Sequence, residues 1–350
     1  MDNKKSFGKK FSGFMAKGKQ NFIIIFALII LVLIFTALNP NFLNKFNIVS
    51  MAQSLAPYAI MALGVTFVIA TGGIDLSIGT TCIASAVIAG KLYMDGVVSL
   101  GATIPIMIVI GGVIGLVNGL LVAKLKIPAF IATLGTMMFG RGLSAIIVSI
   151  PNIFFPSGTW YNKVFSNYNG IPVGLLWVIL FALICMYLMY KCKIGRYILS
   201  IGSNEEATRL SGINTDKYKI IAYTIAGIST GIAAIFWSAS FPTVAAATGN
   251  GYELDAIAGV YIGGTSAAGG VASVAGSVIG NIMLVVIRSG LNMVLAKFNL
   301  NVNSTYATYV LTGIIVVVAV LMDVIKNKNA TKVKIEKQPK TKNASPQEGR

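Results

Sequence analysis

Hydrophobic positions along this chain come in long blocks broken by short polar or glycine-rich stretches, each block close to the roughly 20 residues a helix needs to cross about 30 Å of hydrocarbon. Ten blocks read as spans, at residues 22–38, 48–71, 76–93, 101–123, 128–148, 172–190, 217–238, 254–266, 271–294 and 305–324. The predicted fold is all-α, a polytopic integral membrane bundle of about ten transmembrane helices, and ten crossings put both termini on one side. The 37 glycines spread through the spans permit close helix packing, which favours helices over a barrel. Composition agrees: 55% hydrophobic and 11% charged residues do not describe a soluble domain of 350 residues.

Lys and Arg accumulate in cytoplasmic loops, so their placement orients the chain. Six lysines fall in a tail at 1–20 (Lys4, Lys5, Lys9, Lys10, Lys17 and Lys19), and a central loop at 191–217 with its border holds Lys191, Lys193, Arg196, Arg209, Lys217 and Lys219. With Lys124, Lys126 and a basic tail at 326–350, these segments take 22 of the 28 basic residues, which places both termini in the cytoplasm. The transmembrane region is residues 21–325. The aromatic loop at 150–170 carries almost no basic residues and is predicted outside. The net charge of +17 then reports topology and contact with anionic lipid, with no nucleic-acid partner. The first span resembles a signal peptide in its basic flank, but without a small-residue cleavage site it reads as a retained anchor. The C-terminal tail is Lys-rich and reads as disordered.

Candidate chemistry is sparse. Cys82, Cys185 and Cys192 have no metal-ligand spacing, and no His is present. The acidic residues are expected in tails, loops and helix starts, with none at mid-membrane. That weakens a proton- or sodium-coupled carrier, which needs ionisable groups in the bundle. An enzyme is disfavoured because no nucleophile–base pair is evident. GxxxxGK[ST], the loop that cradles nucleotide phosphates, is also absent, so ATP-driven transport would need a separate ATPase chain.

Four segments carry information. ATGGIDLSIG (Ala70 to Gly79) joins two spans; glycines permit the reversal, and Asp75 or Ser77 can cap the next helix. IGGTSAAGG (Ile262 to Gly270) resembles it six spans later, a hint of an internal repeat in one orientation. In the fifth span Thr133, Thr136, Arg141 and Ser144 interrupt an apolar surface, and Arg141 lies roughly 20 Å from the cytoplasmic end. It either lines a solute path or fixes packing by bonding helix-end carbonyls. Arg288 lies near an outer end and can snorkel, and Asn118 and Asn281 read as interhelical glue. Glu253 and Asp255 stand at an outward-facing helix start, where the macrodipole alone favours acids; the alternative is an outer gate or a docking point for a solute receptor. In the central loop, Gly202 to Glu206 start a short helix through Ala207 to Ser211, stopped by Gly212 and stable only when packed on a partner.

These segments, GVTFVIATGGIDLSIG (Gly64 to Gly79), IPAFIATLGTMMFGRGL (Ile127 to Leu143), IGSNEEATRLSGINTDKYK (Ile201 to Lys219) and GYELDAIAGVYIGGTSAAGG (Gly251 to Gly270), resemble a permease subunit of an ATP-binding-cassette sugar importer of the ribose/galactose type. The resemblance covers most of the chain between the first and ninth spans. It implies a dimerising permease in a bacterial cell membrane, partnered by two cytoplasmic ATPases and an extracytoplasmic sugar-binding protein. This chain would bind no cofactor, ATP and Mg being used by the partners. Gly202, Asn204, Glu205, Ala207, Arg209, Leu210 and Gly212 match the family's coupling loop, and Gly72, Gly73, Asp75, Leu76 and Ser77 its signature turn. Gly259, Ala267 and Ala268 depart from the family's usual residues, which leaves the particular sugar open. Related permeases for nucleosides or branched-chain amino acids, and a self-contained carrier, stay as alternatives. A topology reporter fused at Ser157 is expected to give an external signal; a cytoplasmic signal there would break the ten-span reading.

Overall fold

The computed structural model of the chain describes residues 22–147, 152–241, 243–244 and 248–298, with scattered positions between 306 and 321. The two basic tails and most of the tenth predicted span lie outside the described residues. The helices are α1 (Phe22–Leu38), α2 (Lys45–Ala70), α3 (Ile78–Met94), α4 (Thr103–Ala123), α5 (Ala129–Ile147), α6 (Trp160–Phe165), α7 (Gly174–Tyr190), α8 (Lys193–Ser203), α9 (Glu205–Leu210), α10 (Thr215–Ser240), α11 (Tyr252–Ile262) and α12 (Val274–Lys297).

Each of the first nine predicted spans coincides with one of these helices, so the all-α membrane bundle stands. Among the described residues, α2, α4, α5, α10 and α12 are each long and apolar enough to cross a membrane. One correction concerns the eighth span, 254–266. Helix α11 has 11 residues and rises only about 16 Å, half of what a crossing needs. It stops because Gly263 and Gly264 open a turn, the latter with φ +88°.

From Leu55 onward helix α2 is almost wholly apolar and sits at the centre: every residue from Leu55 to Ala70 is buried, and α7, α10, α11 and α12 pack around it. Two helix pairs close on this axis through glycine. Gly111, Gly115 and Gly119 recur at i, i+4 and i+8 on α4; the first two face Gly227 and Gly231 on α10, and Gly119 faces Ile220. A Cβ at Gly111 would meet the Gly227 carbonyl, and one at Gly231 the Met107 carbonyl, so the two backbones touch. Gly259 and Gly263 of α11 repeat the arrangement against Gly276 and Gly280 of α12.

The helix starts follow local capping. Asn44 accepts from the Asn47 amide at 2.8 Å for α2, Asn214 from Lys217 at 3.0 Å for α10, and Ser273 from Gly276 at 3.2 Å for α12. The aromatic loop between α5 and α7 is tied down at one end of the bundle by a two-residue antiparallel ladder, β1 (Ile153–Phe154) with β2 (Thr243–Val244). Buried Tyr161 shares a 2.8 Å hydrogen bond with Ser238, and Asn162 donates to the Ala239 carbonyl, so the loop is clasped to the end of α10.

The central loop holds more helix than its polarity suggests. Helix α8 follows α7 after a 66° bend, and Ile194, Tyr197, Ile198 and Ile201 set an apolar stripe at helical spacing that seats it on the bundle. The sequence signal was this stripe, masked by Lys193, Gly195 and Arg196 beside it.

Glycine spacing on α4 gives a direct test. Gly115→Leu forces a side chain into the Tyr223 carbonyl and is expected to lower stability by about 3 kcal/mol or more. Gly135→Ala, which has open space around it, is expected to be neutral or stabilising by about 0.5 kcal/mol. Thermal unfolding of the purified protein in detergent separates the two.

Candidate functional site

Three polar centres stand out in the bundle. The first is the α2–α3 turn. Gly72 takes φ +81°, and the chain then runs back into the bundle: Tyr223, eight residues into α10, donates to the Ile74 carbonyl at 3.1 Å. Asp75 is buried and its Oδ1 accepts from the Ser77 amide at 2.9 Å and the Ser77 hydroxyl at 2.6 Å, while Asn118 donates to Ser77 Oγ at 2.8 Å. Gly73 lies under the Tyr223 hydroxyl, and half-buried Leu76 packs on the core. Ser77 precedes α3 but its side chain caps nothing, and Asp75 folds the turn on itself. Capping of α3, expected from the sequence, gives way to an internal Asx-type bond because the turn is buried.

The second centre is α11, whose first turn carries both acids. Glu253 is buried and pairs with Arg141 at 3.3 Å; Asp255 is buried and pairs with Arg288 at 2.5 Å. Arg288 also donates to the Tyr58 hydroxyl at 3.0 Å, and Thr312 donates to the other Asp255 oxygen at 3.4 Å. Arg141 is twelve residues into α5, so the Glu253 pair lies about 18 Å along that helix. Asp75, Glu253 and Asp255 lie at helix starts, as the sequence places them, but all three are buried: a buried turn and a half-length helix carry them into the bundle. Arg288, read as free to snorkel, is instead the counterion of Asp255; its partner lies 33 residues away, beyond local sequence reading. Thr133 and Thr136 bond carbonyls of their own helix, and Ser144 is buried without a partner among the described residues. Arg141 Nε and Glu253 Oε2 are likewise buried and unpartnered.

Above Asp255 opens a cavity of about 350 Å³ between the α2 N-terminal half, the α10 C-terminus, the start of α11 and the α12 C-terminal half. Tyr58, Trp237, Phe241 and Tyr252 supply aromatic walls; Asn47, Asn281 and Asn292 supply amides.

The third centre is the α8–α9 corner. Asn204 accepts from the Ala207 amide at 2.9 Å, and Gly212, at φ +81°, ends α9. Glu205 bonds Lys219 at 2.6 Å and Arg209 at 3.3 Å. Partial burial raises the Glu205 pKa, but these two cations hold it below the usual carboxylate range, so it stays ionised at neutral pH. Ala207, Arg209 and Leu210 face outward, Leu210 at 84% exposure. Gly202, at the end of α8, has no room for a Cβ because its Cα lies on the Ala70 carbonyl and the Gly270 amide. Gly270 N–H itself donates to the Ala70 carbonyl at 3.0 Å, and Gly269 rests on Gly72. The end of α2, the turn at 263–270 and the α8 terminus thus meet backbone to backbone.

Membrane-length helices around a buried axis, a polar cavity at one end and an exposed capped helix outside the spans define a multi-pass membrane transport protein. The sequence matches the family described as branched-chain amino acid transport system / permease component over residues 47–320. The chain belongs to this permease family. It is 37% identical over 305 residues to the ribose import permease protein of Escherichia coli K12, covering 85% of this chain and 92% of that protein. It is 38% identical over 304 residues to the ribose import permease protein of Bacillus subtilis 168, covering 85% and 90%. The D-allose transport system permease protein of E. coli K12 is 31% identical over 299 residues, again covering 85% and 90%. No solved structure matches. Gly259, where a resemblance to the sugar permeases led us to expect alanine, leaves no room for a Cβ beside the Asn281 amide.

The Asp255–Arg288 pair gives a stability test. Asp255→Ala strands Arg288 and is expected to cost about 2 kcal/mol, below the roughly 3 to 5 kcal/mol of a fully buried pair because the Arg288 side chain is 30% exposed. Asp255→Ala with Arg288→Met is expected to regain most of that loss. Unfolding temperatures of the three proteins in detergent check it.

Proposed function

We propose that this chain is the membrane-spanning subunit of an ATP-driven, binding-protein-dependent importer of a monosaccharide, working by alternating access with a second copy as its partner. The solute class is supported by the ribose and allose permeases matched along nine tenths of their length. Coupling to separate ATPase subunits rests on one observation above the others: α9 is an exposed, capped helix whose neighbour α8 is joined through Gly202 to the ends of α2 and the 263–270 turn.

A six-residue helix is not stable alone, so α9 is held for a purpose by Asn204, Gly212 and the Glu205–Lys219 pair. Its outward residues, Ala207, Arg209 and Leu210, form the face offered to an ATPase. Closing of two ATPases on ATP pulls this corner. The pull reaches the membrane through backbone contacts, with no flexible side chain between to absorb it. Helix α11 carries the displacement onward: the 263–270 turn that follows it touches the α8–α2 junction, and its N-terminal turn places Asp255 in the cavity lining. Exchange between inward-open and outward-open states follows from rigid-body motion of such elements. Gly72, Gly73, Asp75, Leu76 and Ser77 hold the partner turn of the junction in place, and the two ion pairs Arg141–Glu253 and Asp255–Arg288 fix α11 to α5 and α12.

Buried acids reopen the ion-coupled carrier, since the argument against it was their absence. Glu253 and Asp255 are each met by an arginine, however, which favours latches over proton carriers.

Uptake of labelled ribose, galactose and leucine in cells with and without ATPase and binding-protein partners tests the reading. Sugar uptake only with all components is expected; uptake by the chain alone makes it a carrier, and leucine uptake without sugar uptake makes it an amino-acid permease. Leu210→Asp is expected to cut uptake at least about tenfold with membrane insertion unchanged, because Leu210 touches little of its own chain. Normal uptake in that variant would sink the docking role of α9.

A further inference from the structure

We propose that the cavity above the Asp255–Arg288 pair is the membrane solute site, and that it takes an uncharged, polyhydroxylated ring, a monosaccharide; this rests on the importer reading above. Three independent features meet there. The first is size, since about 350 Å³ lies at the small end of the roughly 300 to 1,000 Å³ of ligand pockets and suits a compact solute.

The second is polarity in the wrong place for lipid. Asn47, Ser50 and Ser54 fall at i, i+3 and i+7 on α2, and Arg288 and Asn292 stand one turn apart on α12, all lining the cavity. Polar side chains within membrane helices face protein or water-filled space, so these two stripes mark a wetted chamber between the helices. The Ser289 hydroxyl, donating to Asn47 at 2.8 Å, bridges the stripes across it.

The third is the pairing of flat rings with charge-neutral hydrogen-bonding groups. Trp237 donates to the Tyr252 hydroxyl at 3.3 Å, and Tyr58 and Tyr252 meet edge to face at 5.1 Å, so the aromatic wall is held rigid. A sugar ring presents C–H faces that stack on such walls and hydroxyls that both donate and accept. Asp255 accepts and Arg288 donates, and because each neutralises the other, the chamber offers no net charge for a zwitterion or an anion. An amino acid would need both ions freed from each other before its own charges were met, at the cost of breaking a partly buried pair. A neutral ring needs no such step.

The site also sits where coupling requires it. Asp255 belongs to α11, the helix that leads into the 263–270 turn packed on the α8–α2 junction, so movement of that helix changes the chamber lining.

The test uses right-side-out vesicles from cells making the complete importer, with Ser50→Cys in a chain whose Cys192 is replaced by Ser; Cys82 and Cys185 are buried and left in place. A membrane-impermeant maleimide is expected to label Ser50→Cys, D-ribose or D-galactose to slow the labelling, and L-leucine to leave it unchanged. Labelled vesicles are expected to lose sugar uptake relative to the same vesicles before labelling. Trp237→Leu is expected to raise the sugar concentration for half-protection about fivefold to tenfold, and Trp237→Phe much less, which a merely structural role for the ring would not do. Labelling that no sugar slows, together with sugar uptake undiminished after labelling, overturns the site while leaving the importer intact. Protection by leucine, in vesicles that take up leucine and no sugar, overturns the importer reading and the sugar site together.

Discussion

Everything in this protein hangs on backbones touching. Apolar side chains gain nothing by leaving lipid for one another, so helices in a membrane are held by close van der Waals packing and by polar groups that must find partners. The glycine rows of α4 and α10 bring two backbones to contact beside α2, and α11 and α12 repeat the device on another side. Between them α2 has no lipid-facing residue from Leu55 onward, which lets its end act as a fixed point for the α2–α3 turn and the 263–270 turn. The same absence of Cβ atoms that holds the bundle also brings Gly202 into direct backbone contact with Ala70 and Gly270.

Polar groups inside such a bundle are costly unless satisfied, and each of its three buried acids is met by at least one partner. Asp75 bonds within its own turn, Asp255 with Arg288 and Glu253 with Arg141. The pairs cross between helices, so each joins α11 to a different neighbour. A half-length helix pinned by two ion pairs at its start and by glycine contacts along its length is a rigid body, and only a rigid body transmits displacement from one end to the other.

Local physics was legible in the sequence; distant pairing was not. Helix α9 could be read because its cap, Asn204, and its stop, Gly212, lie within eight residues of each other. The spans could be read because burial in lipid demands unbroken apolar length. Helix α8 was missed because three polar or glycine positions hid an apolar stripe of four residues. Helix α11 was taken for a crossing because apolar residues continue past its end, yet Gly263 and Gly264 stop it. Arg288 was dismissed because its meaning depends on Asp255, and no periodicity in either helix announces the other. The cavity needed four helices in place before it existed at all.

A transport cycle needs the solute site and the energy-coupling site to bias the same two-state element. Helix α11 is placed to be that element, since it contributes Asp255 to the cavity and leads into the turn bonded to Ala70 and packed on Gly202. Its length of about 16 Å suits this role better than a full span would. A full-length helix is anchored in both interfaces and resists tilting, whereas a half-length helix bounded by glycine turns is held by its side contacts alone. The departure from a simple ten-span bundle is therefore the stretch of chain that joins the cavity to the α2–α8 junction.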